Sequence, residues 1–191
     1  NVGFNIATVK NEVLSLGNGE PIAGGYYYGG NATRTEEGEP IGYFYGYKTD
    51  GVFQSQAEIN SAPVQEGSSN EDLQPGDLKF VDVNGDGVVN DEDKTYLGSP
   101  IPKFTYGVNL GATYGAFDLS AFIQGSQGNK IFNAMKTHLY KFDETNKSTD
   151  MLNSWTPTNT NTDMPRLNGN DKNNTNRTSD RFVEDGSYAR L

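Results

Sequence analysis

The strongest pattern in the sequence is a strict alternation from Phe104 to Tyr114. Phe104, Tyr106, Val108, Leu110, Ala112 and Tyr114 share one face, and Thr105, Gly107, Asn109, Gly111 and Thr113 share the other. A period of two is the signature of a strand. Eleven residues exceed the usual strand of about 5–6 and match the roughly 9–11 residues of a tilted membrane-crossing strand. An apolar face with aromatics at both ends, opposite a small polar face, is how a lipid-facing barrel strand is written. A tight turn at Gly115-Ala116 follows. Phe117, Leu119, Ala121 and Ile123 then alternate with Asp118, Ser120, Phe122 and Gln124, with Phe122 interrupting the polar side. The pattern predicts a hairpin over 104–125. Val2, Phe4 and Ile6 alternate with Gly3, Asn5 and Ala7 and fade through Val9, Val13 and Leu14, which predicts a strand over 1–16. Residues 182–191 read as the start of a further strand without a terminator, so the chain is expected to be part of a longer one.

The spacing of these strands matters as much as their pattern. About 87 residues (17–103) separate the first strand from the hairpin, two or three link its arms, and about 56 (126–181) follow it. Two long connections leave one end and a short turn closes the other, as in outer-membrane barrels. A soluble sandwich spaces its turns about every 8–12 residues. Within the connections, Gln56-Ala57-Glu58-Ile59-Asn60 predicts a short helix ended by Pro63. Ile131, Ala134 and Met135 at i, i+3 and i+4 predict an amphipathic helix over 129–141. Residues 156–180 are rich in Thr and Asn and are expected to be irregular.

Composition narrows the classes. Only 34% of the 191 residues are hydrophobic, yet 12% are aromatic and 23 are glycine, above the usual glycine share of about 7%. That combination favours β-structure with long polar connections. A net charge of -10 argues against a nucleic-acid partner. No run approaches the 18 apolar residues of a membrane helix, and no signal peptide is legible at Asn1-Val2-Gly3-Phe4. The absence of cysteine excludes a disulfide framework, a thiolate metal site and a cysteine nucleophile, and suits an extracytoplasmic protein. The acidity is local: residues 36–93 hold 14 of the 25 acids and two of the 15 Lys and Arg, Lys48 and Lys79. Such a block is a solvated surface or a place where a cation supplies the missing charge.

Residues 82–93 favour the cation. They read Asp82-Val83-Asn84-Gly85-Asp86-Gly87-Val88-Val89-Asn90-Asp91-Glu92-Asp93. Set on a twelve-residue calcium loop, Asp82, Asn84 and Asp86 fall at positions 1, 3 and 5. Gly87 takes the sharp turn at 6, Val88 offers its carbonyl at 7 and apolar Val89 anchors the loop at 8. Asn90 stands at 9 and Asp93 closes the shell at 12. Oxygen donors in alternation suit a hard cation taking six to eight oxygens. Asp at 12 has a shorter arm than the usual Glu, which points to an affinity of about 10⁻⁴–10⁻³ M. The competing reading is a metal-free Asn/Asp/Gly turn; magnesium rarely uses an all-protein cage. Upstream, Leu78-Lys79-Phe80-Val81 is strand-like. Downstream, Glu92 to Leu97 allows one helical turn before Gly98-Ser99-Pro100. A single such loop reads as a structural staple.

An ordered set of motifs then carries a resemblance. Gly46-Tyr47-Lys48-Thr49-Asp50-Gly51-Val52-Phe53-Gln54 is followed by the run from Gly76-Asp77-Leu78 to Gly87, and by Leu97-Gly98-Ser99-Pro100-Ile101-Pro102. Phe104-Thr105-Tyr106-Gly107, Trp155-Thr156-Pro157, Met164-Pro165-Arg166-Leu167 and Phe182-Val183-Glu184-Asp185-Gly186-Ser187-Tyr188 complete it. Together they resemble the carboxy-terminal part of SusC/RagA-type TonB-dependent outer-membrane transporters; Ala189 departs from that pattern, which has a larger aliphatic residue there. The resemblance implies a mainly β chain, a few antiparallel strands of a 22-stranded transmembrane barrel with long extracellular loops. It also implies import of oligosaccharides or peptides, a SusD-like surface lipoprotein as lid, and energy from the TonB complex through a part of the parent not present here.

Two other classes were weighed. A secreted calcium-stabilised module for adhesion or carbohydrate binding is the alternative, since residues 82–93 are also similar to a dockerin calcium loop, although dockerins carry two. Tyr26, Tyr27, Tyr28, Tyr43, Phe44, Tyr45 and Tyr47 could stack on sugar rings or pack a loop onto the barrel rim. An enzyme is not expected: His138 is the single histidine, and no carboxylate spacing marks a glycosidase pair. The sequons at Asn31, Asn146, Asn173 and Asn176 are what an Asn/Thr-rich chain yields by chance.

Overall fold

The computed structural model describes residues 1–191 apart from 28, 29, 66–68, 142–145, 172 and 174. In chain order the strands are β1 (Val2–Thr8), β2 (Ile22–Tyr27), β3 (Gly30–Thr35), β4 (Tyr43–Gly46), β5 (Thr49–Val52), β6 (Val64–Gln65) and β7 (Leu78–Phe80). They continue with β8 (Val88–Val89), β9 (Thr95–Gly98), β10 (Phe104–Tyr114), β11 (Phe117–Gln127), β12 (Lys130–Phe132), β13 (Val183–Asp185) and β14 (Tyr188–Arg190). Two short helices, α1 (Gln56–Ser61) and α2 (Ala134–Leu139), lie in the connections.

β1, β10, β11 and β14 form one antiparallel sheet in that order, here called the wall. Its hairpin turn is Gly115-Ala116, and Gly115 has φ +61°. A two-residue hairpin turn requires a left-handed first residue, which glycine adopts without a Cβ penalty. The register places all the predicted apolar positions on one side. Leu110 faces Val2 and Ala121, Val108 faces Phe4 and Ile123, and Tyr106 faces Ile6 and Gly125. Among the described residues this side is left open: Phe4 is 65% exposed and Phe117 79%. The wall contributes no residue to the three buried hydrophobic clusters found among the described residues. The other side is polar. The Asn5 side chain crosses Gly107 and that of Asn1 crosses Gly111, where a Cβ would obstruct each. With its carboxamide oriented by its neighbour, Gln124 accepts from Arg190 Nη2 and Nε at 2.6 and 2.8 Å, tying β14 to the hairpin.

The connections leaving one end of the wall fold together into a cap. β2, β3, β4 and β9 make an antiparallel sheet. β5 pairs with β7, β6 pairs in parallel with β8, and β12 pairs with β13. The central cluster joins Tyr47, Val52, Leu78, Phe80 and Val89 of the first connection to Trp155 of the second. Trp155 Nε1 donates to Gln54 Oε1 at 3.0 Å, and Arg166 grips the buried Asp77 through Nε at 2.6 Å and Nη2 at 3.3 Å. Residues 175–179 are buried although they are polar. Their groups serve backbone that has no ladder partner. Asn176 donates to the Thr137 carbonyl at 2.6 Å, the Thr178 carbonyl accepts from Tyr47 N at 2.9 Å, and Asn173 donates to the Leu78 carbonyl. These bonds offset part of the cost of an interior polar stretch, although Asn173 Oδ1, Asn176 Oδ1 and Ser179 Oγ are buried without a hydrogen-bond partner among the described residues.

Several expectations need correction. The first strand ends at Thr8, not at 16, because the chain beyond it turns to pair with the first connection: Val13 N donates to the Glu39 carbonyl and Gly38 N to the Val13 carbonyl. The hairpin runs two residues beyond 125, to Gln127. Residues 182–191 are two strands rather than one: β13 joins the cap and only β14 joins the wall. The helix placed over 129–141 is shorter, since Lys130–Phe132 is captured as β12 and Asn133 caps α2 by accepting from Lys136 N. Its expected apolar stripe is exposed at Ile131 and Met135, and Thr137 is the buried residue. The described residues of 156–180 hold no helix or strand before the 3-10 turn that begins at Asp180, as expected, yet their end is buried. α1 begins on the Ser55 cap, whose hydroxyl accepts from Glu58 N, and stops before Pro63.

The meeting of the two connections is tight at Gly46, where a Cβ would sit 2.5 Å from the Thr178 carbonyl oxygen. Gly46→Ala should weaken the cap by about 1–3 kcal/mol, read as faster native-state hydrogen exchange in residues 43–52 and 175–180, with the wall amides unchanged.

Candidate functional site: the loop at residues 82–93

The loop bridges β7 to β9 and is held at both ends by the cap core. Val89 at its eighth position is fully buried beside Phe80 and Trp155. β8 pairs in parallel with β6, and Gln65 of β6 is fully buried. The Gln65 carboxamide accepts from Phe80 N at 3.2 Å and donates to the Phe80 carbonyl at 3.3 Å, so a side chain substitutes for a ladder strand along β7. Sequence reasoning missed Gln65, because a lone glutamine carries no periodic signal.

Inside the loop, side-chain oxygens fold back on the backbone in a regular series. Asp82 accepts from Gly85 N at 2.6 Å and Gly87 N at 2.8 Å. Asn84 accepts from Asp86 N at 2.9 Å, Asp86 from Val88 N at 2.8 Å and Asn90 from Glu92 N at 2.7 Å. Gly87 has φ +92°, the sharp turn its place in the series demands. Asp93 is the hub. It is fully buried and accepts from Val83 N at 2.7 Å, Asn84 N at 3.2 Å and Asn90 N at 2.8 Å. Burial alone would push its carboxyl up; the three N–H groups outweigh burial and hold it below the usual carboxylate range. Asp91 faces outward, taking the Tyr47 hydroxyl at 2.8 Å and Lys94 at 2.6 Å.

Asp82, Asn84, Asp86, the Val88 carbonyl, Asn90 and Asp93 form an oxygen-only donor set, and each carboxylate oxygen bonded to one N–H retains a lone pair. That chemistry fits a hard divalent ion. The side chains are turned to the loop's own amides, and among the described residues no group of three or more His, Cys, Asp or Glu closes into a metal-holding cluster.

The remaining candidates separate cleanly. Tyr43, Phe44 and Tyr47 are buried, Tyr27 packs on Phe132 with centroids 4.7 Å apart, and Tyr45 lies under Arg34 at 4.5 Å. Five of the seven tyrosines and phenylalanines therefore pack the cap; Tyr26 is 83% exposed and Tyr28 lies outside the described residues. His138 sits on the exposed side of α2.

With this geometry in view, similarity to known proteins becomes informative. The chain is 36% identical over 192 aligned residues, 98% of its length, to TonB-dependent receptor P3 of Formosa agariphila, and 33% identical over 189 residues to TonB-dependent receptor P26 of the same organism. The chain belongs to the TonB-dependent receptor family. It spans 18% of the length of each of these receptors. Its fold matches a solved RagAB peptide importer in the open-open state with TM-score 0.69 and 22% identity, covering 100% of this chain and 19% of that one. No protein-family model matches the chain. These relatives agree with the resemblance to SusC/RagA-type transporters drawn from the motifs.

Asp93 gives the sharpest test of the loop. Asp93→Ala strips three loop amides of their buried acceptor and should destabilise the loop by about 1–3 kcal/mol, seen as loss of hydrogen-exchange protection at Val83, Asn84 and Asn90 in the intact receptor.

Proposed function

We propose that the chain supplies four wall strands and an outer cap to a SusC/RagA-type TonB-dependent importer in the outer membrane of a Gram-negative bacterium. The observation that carries this reading is the wall itself: a hairpin of two 11-residue strands with one apolar side left open, aromatic at both ends, and a polar side opposite. Exposed apolar area of this kind needs a covering phase, and lipid provides it. The wall forms no closed barrel here, and its outer strands β1 and β14 leave edges for the neighbours that a 22-stranded barrel would supply. The cap then faces outside the cell. The solute is an oligosaccharide or a peptide; the solved relatives are described as peptide importers. A SusD-like lipoprotein closes over the cap, and the TonB complex acts on the part of the parent beyond this chain. A secreted calcium-stabilised module is disfavoured, because a soluble body would bury the side that Phe4 and Phe117 leave open.

The cofactor proposed for residues 82–93 is structural calcium, held by Asp82, Asn84, Asp86, the Val88 carbonyl, Asn90 and Asp93. When bound it would offset the acidity of the loop and stabilise the folded cap by mass action.

Two experiments test these assignments. Leu110→Arg places a charge on the lipid side and should cost about 2–4 kcal/mol near mid-membrane, whereas Asn109→Arg on the polar side should be tolerated. Assembly of the heat-modifiable receptor in outer-membrane fractions reads the contrast, and reversed costs would overturn the assignment of faces. Calorimetry on the intact receptor should show a calcium-binding heat that Asp86→Ala removes, and equal heats in both proteins would remove calcium from residues 82–93.

A further inference from the structure

A second site lies where the wall hands over to the cap. The ends of β1, β10 and β11 meet around a cavity of about 300 Å³ whose lining includes Val9, Tyr96, Ile101, Lys103 and Gly128. This volume is at the lower bound of small-molecule sites, about 300–1,000 Å³. Val9 continues the row of Ala7, Lys103 that of Thr105 and Gly128 that of Ser126. All three rows belong to the polar side of the wall, so alternation directs the notch to that side.

Its chemistry is asymmetric. The Lys103 stem lies across Gly128, where a Cβ would come within 2.8 Å of it. Glycine at 128 is thus what lets the lysine reach over the notch. Lys103 makes no ion pair among the described residues. Lys10, the other lysine on the lining, is engaged by Glu12 at 2.9 Å. Tyr96 also lines the cavity, 42% exposed and packed against the Tyr43 ring with centroids 5.1 Å apart. Glu39 lies near enough to Tyr96 to help burial raise its hydroxyl pKa. A negative group is thereby repelled from the Tyr96 end and attracted to Lys103, while Tyr96, Ile101 and Val9 offer a flat apolar floor.

We propose that this notch is a subsite for one anionic unit of the solute, its carboxylate or sulfate on Lys103 and its ring or aliphatic body on Tyr96. The inference rests on the importer reading, because it takes the polar side of the wall as the solute path. It deepens that reading by naming a charge that the solute carries.

Ligand-observed saturation-transfer NMR on the intact receptor in detergent tests it, with galacturonate, galactose and N-acetylglutamate as probes. Galacturonate or N-acetylglutamate should bind, and whichever binds better tells an acidic sugar from an acidic peptide. Galactose should bind at least tenfold more weakly. Lys103→Gln should weaken the anion about tenfold or more, Lys103→Arg should restore it to within a few-fold, and Tyr96→Leu should weaken it as well. Equal anion binding by wild type and Lys103→Gln, equal binding of galactose, or no anion binding at all would overturn the proposal. The importer reading fails separately, through a reversed Leu110 and Asn109 contrast, which leaves the NMR result untouched.

Discussion

A sheet with one apolar side and no core behind it is stable only when another phase or another element covers that side. This constraint governs the wall. Its apolar row begins at Phe104 and Tyr106 by the cap and ends at Tyr114 and Phe117 by the turn, so rings that tolerate an interface bracket an aliphatic middle. The polar side needs no such cover, and there the chain spends its small residues. Gly107 and Gly111 admit the amides of Asn5 and Asn1 across the strands, which keeps that surface close-fitting and hydrogen-bonding. The two sides thus ask for different surroundings, and a bilayer enclosing an aqueous lumen meets both demands.

The cap solves the reverse problem. Its sequence is poor in aliphatics, and each connection holds only a small cluster of its own, Phe53, Ile59 and Leu73 in the first and Tyr140, Met151 and Phe182 at the second. The central cluster is completed only when Trp155 from the second connection meets Phe80 and Val89 from the first. Arg177 then stacks over both Tyr47 and Phe80, 4.9 and 4.4 Å from their centroids, and closes the seam with a cation in place of an apolar side chain. Two connections that share their central cluster are tied together there. That coupling fixes the geometry above the wall more firmly than either loop alone could.

What was legible in the sequence follows from this contrast. The hairpin could be read because the wall obeys one local rule, period two, over its whole length. Short signals with a local mechanism were also legible, such as the Pro63 stop after α1 and the glycine at 87. Partners chosen across the chain were not. The Lys130–Phe132 segment looked helical because Ile131, Ala134 and Met135 have helical spacing, but pairing with β13 took it. Residues 175–179 read only as part of an irregular Thr/Asn-rich stretch. They are interior, and the Asn176 amide serves the Thr137 carbonyl 39 residues away in sequence. The tyrosine cluster left sugar stacking and loop packing both open, and most of its rings became core for lack of aliphatics. At the loop itself, the order of oxygen donors was legible, but not the role of Asp93 as a buried acceptor for three amides.

That role bears on why the loop closes with Asp and not Glu. A carboxylate one methylene shorter stays near the backbone, and Asp93 uses both oxygens to gather amides from the two ends of the loop, Val83 and Asn84 on one side and Asn90 on the other. A longer arm would move those oxygens away from the amides. The loop is therefore shaped by its own hydrogen bonds before any cation arrives, and an ion would add to a fold already anchored by Val89. Calcium, as proposed for this loop, would bind weakly, because the loop's oxygens are shared with the backbone, but the loop would lose little entropy on binding. Weak, preorganised sites suit surroundings where calcium is plentiful, which is the side of the outer membrane on which the proposed function places the cap.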